Sequence, residues 1–343
     1  MKAFGFYEFD FDRACHVPYD IYRLAMVMAE FGIETSQLLQ DSMISVSDLS
    51  NPKATISMNQ KLKVYQNALA LAPCPDLGLV ASQSVKITDF GLLGYTVICA
   101  ETFQDAIHYS MKYLKLASPV LHQSFRLIDN VARFEGLDHV QLGELLPFCT
   151  EFWFGSIYAL CSQCLQKPVR NICIRLPYPD PGYGDKYREL FQCDVLFDTG
   201  VIQWDFDASL LTDKIPSANA LAAKMCLQSC DSMLATLNHR DTLDQQVKAF
   251  LLENPGKFPD AAQVAAHFGL STRTLSRRLH NLNVSYQNLL NDTRKAIALQ
   301  YLQSTALSVE EIATLTGFSD ASNFRRAFKK WTGTTPNHIR MAC

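Results

Sequence analysis

Two short stretches carry side chains suited to contacting nucleic acid. Thr272, Arg273, Ser276 and Arg277 fall at helical spacing on one face, and the cap residue Ser271 precedes them. Ser322, Asn323, Arg325, Arg326, Lys329 and Lys330 repeat this mixture of hydroxyl and cation and add an amide. Arginine and lysine neutralise phosphates, and arginine and asparagine can also read base edges. The implied chemistry is recognition rather than bond-making. The chain has no G-x-S-x-G elbow, no P-loop and no H-E-x-x-H, and its eight histidines form no triad legible in sequence. We expect no cofactor, no metal and no catalytic residue.

Each stretch follows a helix and a tight turn. In the first unit (about 261–280), Val264, Ala265 and Phe268 sit on a short helix, and Gly269 provides the turn. Leu270 plugs the core, Ser271 caps the next helix, and Leu275 and Leu279 form its buried face. Ala265 is small where the two helices cross. The plan recurs 48 residues on, from Gly269 to Gly317, in a second unit (about 308–331). There Ser308 caps a helix with Val309, Ile312, Ala313 and Leu315, Gly317-Phe318 turns, and Phe324, Phe328 and Trp331 point inward. Between the units, residues 286–302 read as a helix. It could hold two reading helices about one DNA turn, ~34 Å, apart. An all-helical packing module using similar turns is the competing reading.

Composition is consistent with a nucleic-acid binder that carries a second function. The chain has 343 residues, 48% hydrophobic and 19% charged, enough for two domains with their own cores. From Arg240 onward there are 13 Lys and Arg against 8 Asp and Glu, a balance of +5. The preceding residues have 18 against 26, a balance of −8, and the two give the overall −3. No run of 18 apolar residues appears, and Glu8, Asp10, Asp12 and Arg13 interrupt any signal-like stretch. Eleven cysteines, odd in number and set in apolar segments, suit reduced thiols in a cytoplasm. Cys161 and Cys164 share a helical face but lack a second close pair, which favours buried thiols over a zinc site. The adjacent Cys15 and His16 carry no more weight.

The first 210 residues mix helices and strands without a βαβ rhythm, which predicts an α+β domain. Helices are expected over residues 19–31, 59–72, 76–84, 103–116, 144–165, 183–191 and 218–237. Residues 90–94 read as a glycine-punctuated loop. A hairpin is expected over 124–135, turning at Asp129-Asn130, followed by a strand at 169–176 and a second hairpin pairing 195–197 with 201–206. The polar stretch 238–241 marks the boundary. The domains are thus 1–212, a linker helix region 213–241, and an all-α domain 242–343.

From about Leu243 to Arg340 the sequence resembles the AraC/XylS family of transcription regulators. The matching features are the Gly317-Phe318 turn, the run from Phe324 through Arg326 to Phe328-Lys329, and the ending Gly333-x-x-Pro336-x-x-x-Arg340. The resemblance implies double-stranded DNA as partner, and places Arg273, Ser276, Arg277, Ser322, Asn323 and Arg326 at base-reading positions. Ser276 is the departure, short for a base edge and better suited to phosphate. Tyr286 and Arg294 fall on the inter-unit helix.

Three upstream segments resemble the arabinose-binding-like effector domain of the ornithine-utilisation and virulence-regulator subgroup. They are Asp76-Leu-Gly-Leu, Asp89-Phe-Gly-Leu-Leu-Gly-Tyr and Thr102-Phe-Gln-Asp-Ala-Ile with Tyr113, and Tyr187-Arg-Glu-Leu-Phe followed by Val195-Leu-Phe-Asp fits the domain's later part. The resemblance implies an N-terminal effector domain, a small-molecule effector and dimerisation, with RNA polymerase contact and activation as expectations. Phe90, Tyr95, Phe125, Phe134, Phe148, Phe152, Trp153, Phe154 and Tyr158 could line an apolar pocket or form plain core. An apolar or amphipathic effector such as a fatty acid is expected, with amino-acid derivatives as the rival; no effector-binding residue is assigned. Alternatives are a constitutive DNA binder whose first domain only dimerises, or an enzyme fused to a DNA-binding tail.

Overall fold

The computed structural model describes residues 3–5, 11–12, 14, 16–51, 54–138, 140–239, 242–252, 256–304 and 307–341. Glu8, Asp10, Arg13, Cys15, Arg240 and Asp241 lie outside them. The chain forms two compact units, one reaching Leu237 and one beginning at Asn238.

The first unit is built on six strands among the described residues. These are β1 (Ala3–Gly5), β2 (His122–Ile128), β3 (Val131–Leu137), β4 (Asn171–Arg175), β5 (Asp194–Leu196) and β6 (Ile202–Asp207). Their order is β1-β2-β3-β6-β4-β5, and only β4 and β5 run parallel. Asp129, with φ of 50°, supplies the left-handed turn of the β2–β3 hairpin. Phe125, Phe134, Trp204 and Ile174 stand opposite one another across four strands and are all buried. That row is the sheet's contribution to the core. On neighbouring register positions, Asp205 takes ion pairs from both Arg133 (2.6 Å) and Arg175 (2.8 Å).

The expected second hairpin does not form. Strand β4 lies between β5 and β6, so residues 195–197 and 202–206 belong to different neighbours. Helical residues 184–191 cross over between β4 and β5, as a parallel pair requires. The local spacing looked like a hairpin, but the apolar β4 inserts where it can bury Ile174.

The unit also contains helices α1 (Tyr19–Glu30), α2 (Met58–Leu71), α3 (Leu77–Gln83), α4 (Gly91–Ile98), α5 (Phe103–Lys112), α6 (Leu146–Leu165), α7 (Gly184–Phe191) and α8 (Ala220–His239). Residues 148–156 of α6 are all buried, as a helix apolar on every side must be. It meets α3 through small residues. A Cβ on Gly155 would lie 2.0 Å from Ser82 Oγ, and one on Gly78 2.6 Å from Glu151 Cβ.

Residues 90–94 are not the loop read from their glycines. Gly91 opens α4 and Gly94 lies inside it. A Cβ on Gly94 would sit 1.8 Å from the Ile87 carbonyl oxygen, so this glycine serves close packing rather than a turn. Helix α8 buries Cys230 and Leu237 against Leu93, Tyr113 and Leu116 of the same unit. Lys112 and the Tyr113 hydroxyl both reach Asp231 at 2.8 Å.

The described residues of the second unit hold seven helices and no strand: α9 (Leu243–Leu252), α10 (Ala261–His267), α11 (Thr272–Asn281), α12 (Tyr286–Ser304), α13 (Val309–Leu315), α14 (Ala321–Thr332) and α15 (Pro336–Met341). One core gathers Val247, Leu251, Val264, Leu275, Leu279 and Leu289; the other gathers Ile297, Tyr301, Ile312, Phe324 and Phe328. Helix α12 gives its first half to one and its second half to the other. Phe258 packs against both.

Candidate nucleic-acid interface and effector cavity

Both helix-turn-helix units close their turns with one hydrogen-bond pattern. Gly269 and Gly317 take φ of 64° and 74°. The following amide then donates five residues back, Leu270 to the Ala265 carbonyl (2.8 Å) and Phe318 to that of Ala313 (2.9 Å). This is the glycine-ended helix stop, in which the left-handed residue turns the chain and lets orphan carbonyls be satisfied. Ser271 and Asp320 then restart the chain by capping the amides of Thr274 (3.2 Å) and Asn323 (2.8 Å).

These turns fix what each following helix exposes. On α11, Leu275 and Leu279 are buried, while Thr272, Arg273, Ser276 and Arg277 are exposed. On α14, Phe324 and Phe328 are buried, while Ser322, Asn323, Arg325, Arg326, Lys329 and Lys330 are exposed. Arg273 and Arg277 have no ion pair among the described residues. The others are less free. Ser271 Oγ is committed to its capping role. Arg325 pairs with Glu310 at 2.7 Å, an exposed bridge between the two helices of the second unit. Arg326 donates to Asn323 Oδ1 (2.8 Å), and Asn323 Nδ2 donates to the cap carboxylate of Asp320, so these three form one chain of contacts.

Arg294 of α12 is half-buried beside the Gly317-Phe318 turn. Its guanidinium lies 5.3 Å from the Phe258 ring and 4.8 Å from the Phe318 ring, and donates to the Gly317 carbonyl at 3.1 Å. Tyr286, the first residue of α12, donates from its hydroxyl to the Pro259 carbonyl. Both side chains brace the loop before α10.

The first unit holds a cavity of about 190 Å³ that is partly open to solvent. Its wall is largely apolar, including Leu93, Phe103, Ile107, Val120, Ile157 and Leu160. Of the nine aromatic residues singled out in sequence, Phe90, Phe134, Phe152 and Trp153 line it. Phe125, Phe148 and Phe154 are buried elsewhere in the core, and Tyr95 is exposed. Cys149, Cys161 and Cys164 also line it, and burial raises the Cys164 thiol pKa to about 12. Among the described residues no three His, Cys, Asp or Glu side chains are grouped to hold a metal ion.

One end of the cavity is polar and escaped the reading of the sequence. Asp20 from α1 meets Lys61 and Tyr65 from α2 there. Lys61 was legible in one respect, since it falls in the buried helical register of Met58, Val64, Tyr65 and Ala68. A second buried polar cluster lies behind α6. Glu151 accepts from the hydroxyls of Tyr183 (2.8 Å) and Tyr187 (2.5 Å), and burial raises its carboxyl pKa to about 7 despite them.

Two family descriptions match this chain. Residues 32–215 match the arabinose-binding domain of AraC transcription regulators, N-terminal, which covers more than half of the 343 residues. Residues 264–342 match a helix-turn-helix domain. The chain is an AraC-family transcription regulator. The ornithine utilization regulator of Pseudomonas aeruginosa is 33% identical over 316 residues, spanning 92% of this chain and 93% of that protein. The transcriptional regulator VqsM of the same organism is 24% identical over 276 residues, 77% of this chain and 83% of that one. The crystal structure of the regulator CdpR from P. aeruginosa aligns over 98% of this chain and all of that one, at 21% identity and a TM-score of 0.48. As an AraC-family member the protein binds DNA through its C-terminal domain and carries an N-terminal ligand-binding domain. No described helix is long and apolar enough to cross a membrane.

Proposed function

We propose that this AraC-family regulator is a one-component switch acting in the cytoplasm, an activator whose cavity binds its effector and whose α11 and α14 read one operator. The observation that supports it is the pairing of two exposed basic helix faces in one unit with an apolar cavity in the other. Arg273, Arg277 and Arg326 are the base-reading candidates. Ser271, Thr272, Ser276, Ser322, Asn323, Arg325 and Lys329 complete the contact set, with Ser276 on phosphate. The residues divide as an effector domain 1–212, a coupling segment 213–241 and a DNA-binding domain 242–343. Effector binding changes the relative stability of two arrangements of the domains, and so DNA affinity or polymerase contact. The protein performs no turnover in this reading.

Duplex binding measured across salt concentrations is the direct test. A steep salt dependence with a large ratio of specific to random affinity supports operator reading. A metabolite panel followed by thermal melting tests the sensor. If no compound raises the melting temperature, a constitutive binder whose first domain only dimerises becomes the better account. Turnover by the purified protein would favour the enzyme alternative. Homodimerisation has its own support in α8, where Leu221 and Met225, one helical turn apart, are 72% and 62% exposed. Leu221→Glu and Met225→Glu should reduce the sedimenting mass if that face joins two copies.

A further inference from the structure

The polar end of the cavity is electrically balanced before any ligand arrives. Lys61 is 1% exposed, and its Nζ lies 2.8 Å from Asp20 Oδ2. The same ammonium donates to the Ser118 carbonyl at 2.5 Å. Ser118 is held in the left-handed region at φ of 52° and accepts from the Val17 amide at 3.1 Å, so that carbonyl is fixed in place. The Tyr65 hydroxyl donates to Asp20 Oδ2 as well. No other lysine, arginine, aspartate or glutamate lines the cavity among the described residues.

The hydrogen bonds, unlike the charges, are incomplete. Asp20 Oδ1 is buried and receives no hydrogen bond among the described residues. An ammonium has three donors, and two of those on Lys61 are taken. The polar end therefore offers one spare acceptor and one spare donor at zero net charge. A ligand carboxylate would compete with Asp20 for Lys61 and leave two anions facing each other out of water. A ligand ammonium would do the reverse with two cations. Either leaves an uncompensated buried charge, the most costly arrangement for such a site.

We propose that the cavity takes a small amphipathic molecule with an apolar body and an uncharged head that both donates and accepts, a hydroxyl or a primary amide. A dry cavity of about 150 Å³ holds the six carbons of a benzene ring, so 190 Å³ scales to about eight non-hydrogen atoms. The proposal rests on the effector-cavity reading above, and runs against the fatty acid expected from composition. The head docks on Asp20 Oδ1 and Lys61 Nζ, and the body lies against Phe152, Trp153 and Ile157.

The test uses the full-length protein and five matched probes: 2-phenylethanol, phenylacetamide, phenylacetate, 2-phenylethylammonium and ethylbenzene. Calorimetric titration should rank the alcohol and the amide at least about tenfold tighter than either charged probe. Asp20→Asn, which keeps the shape and leaves Lys61 uncompensated, should shift the ranking about tenfold toward phenylacetate. Phenylacetate or the ammonium binding wild type as tightly as the alcohol overturns the head assignment. So does ethylbenzene binding with no discrimination among heads. Both of these results leave the effector-cavity reading intact. Failure of all five to bind removes both. The wild-type ranking decides the matter even if Asp20→Asn does not fold.

Discussion

The Arg294 guanidinium donates a hydrogen bond to the carbonyl oxygen of Gly317, 23 residues away, while lying over the rings of Phe258 and Phe318. One side chain on the central helix thus holds the turn of the second reading unit against a phenylalanine shared by both cores. Arg294→Ala should destabilise the DNA-binding unit by about 2–3 kcal/mol, from the lost charged hydrogen bond and ring contacts. Arg294→Lys retains the charge but not the planar fork, and should recover only part of that. Denaturant unfolding followed by helical circular dichroism reads both, and equal midpoints for wild type and Arg294→Ala would refute the bracing role.

The two turn glycines separate conformational from steric cost. Gly269 and Gly317 both have positive φ, so alanine at either costs about 1–2 kcal/mol. An added Cβ at Gly269 meets nothing within 4 Å, whereas at Gly317 it would lie 2.9 Å from the Phe258 ring and 3.2 Å from the Arg294 guanidinium. Gly317→Ala should therefore be the more damaging change in thermal melts. The opposite order would show that Phe258 yields without cost.

The exposed arginines should differ in what they do on DNA. Arg277→Ala and Arg326→Ala should each cost about 1–3 kcal/mol and relax sequence preference at one operator position. A loss equal on all duplexes, with a shallower salt slope, would reassign that arginine to phosphate. Arg325→Ala should alter folding stability by less than about 1 kcal/mol, because its bridge to Glu310 is exposed.

Glu151 makes the first unit sensitive to pH. Its folded pKa of about 7 lies above the ordinary 4.5, chiefly because of burial, so the folded state holds a proton that the unfolded state releases. Stability from this group is fully present below pH 4.5 and is lost as pH rises through about 7. The change is on the order of 3 kcal/mol. Glu151→Gln should flatten that decline in melts taken between pH 4.5 and 7.5. An unchanged slope would place the cause elsewhere.

Much of this architecture was legible from spacing. The paired glycines, caps and apolar faces of the C-terminal unit act locally, within one or two helical turns, and local patterns survive in sequence. What misled was non-local. The segments 195–197 and 201–206 lie close enough to suggest a hairpin, yet β4, twenty residues earlier, inserts between them. Gly94 signals a turn in sequence, but its reason is the Ile87 carbonyl against its α-carbon. The cavity's polar end depends on α1 meeting α2, so Asp20 and Lys61 are unremarkable until folding makes them neighbours. Lys61 alone left a trace, a lysine on an apolar stripe.

The two exposed helix faces are not copies of each other. One offers Thr-Arg-Ser-Arg and the other Ser-Asn-Arg-Arg-Lys, and a single helix joins them in fixed sequence. A DNA site read by both faces would therefore have a polarity. Reversing it end for end, or inserting five base pairs between its two subsites, presents the right bases to the wrong helix or on the far side of the duplex. Genomic sites for this regulator should consequently be recognisable as oriented, unequal pairs of short elements with invariant separation, and their orientation should set the direction in which transcription is controlled.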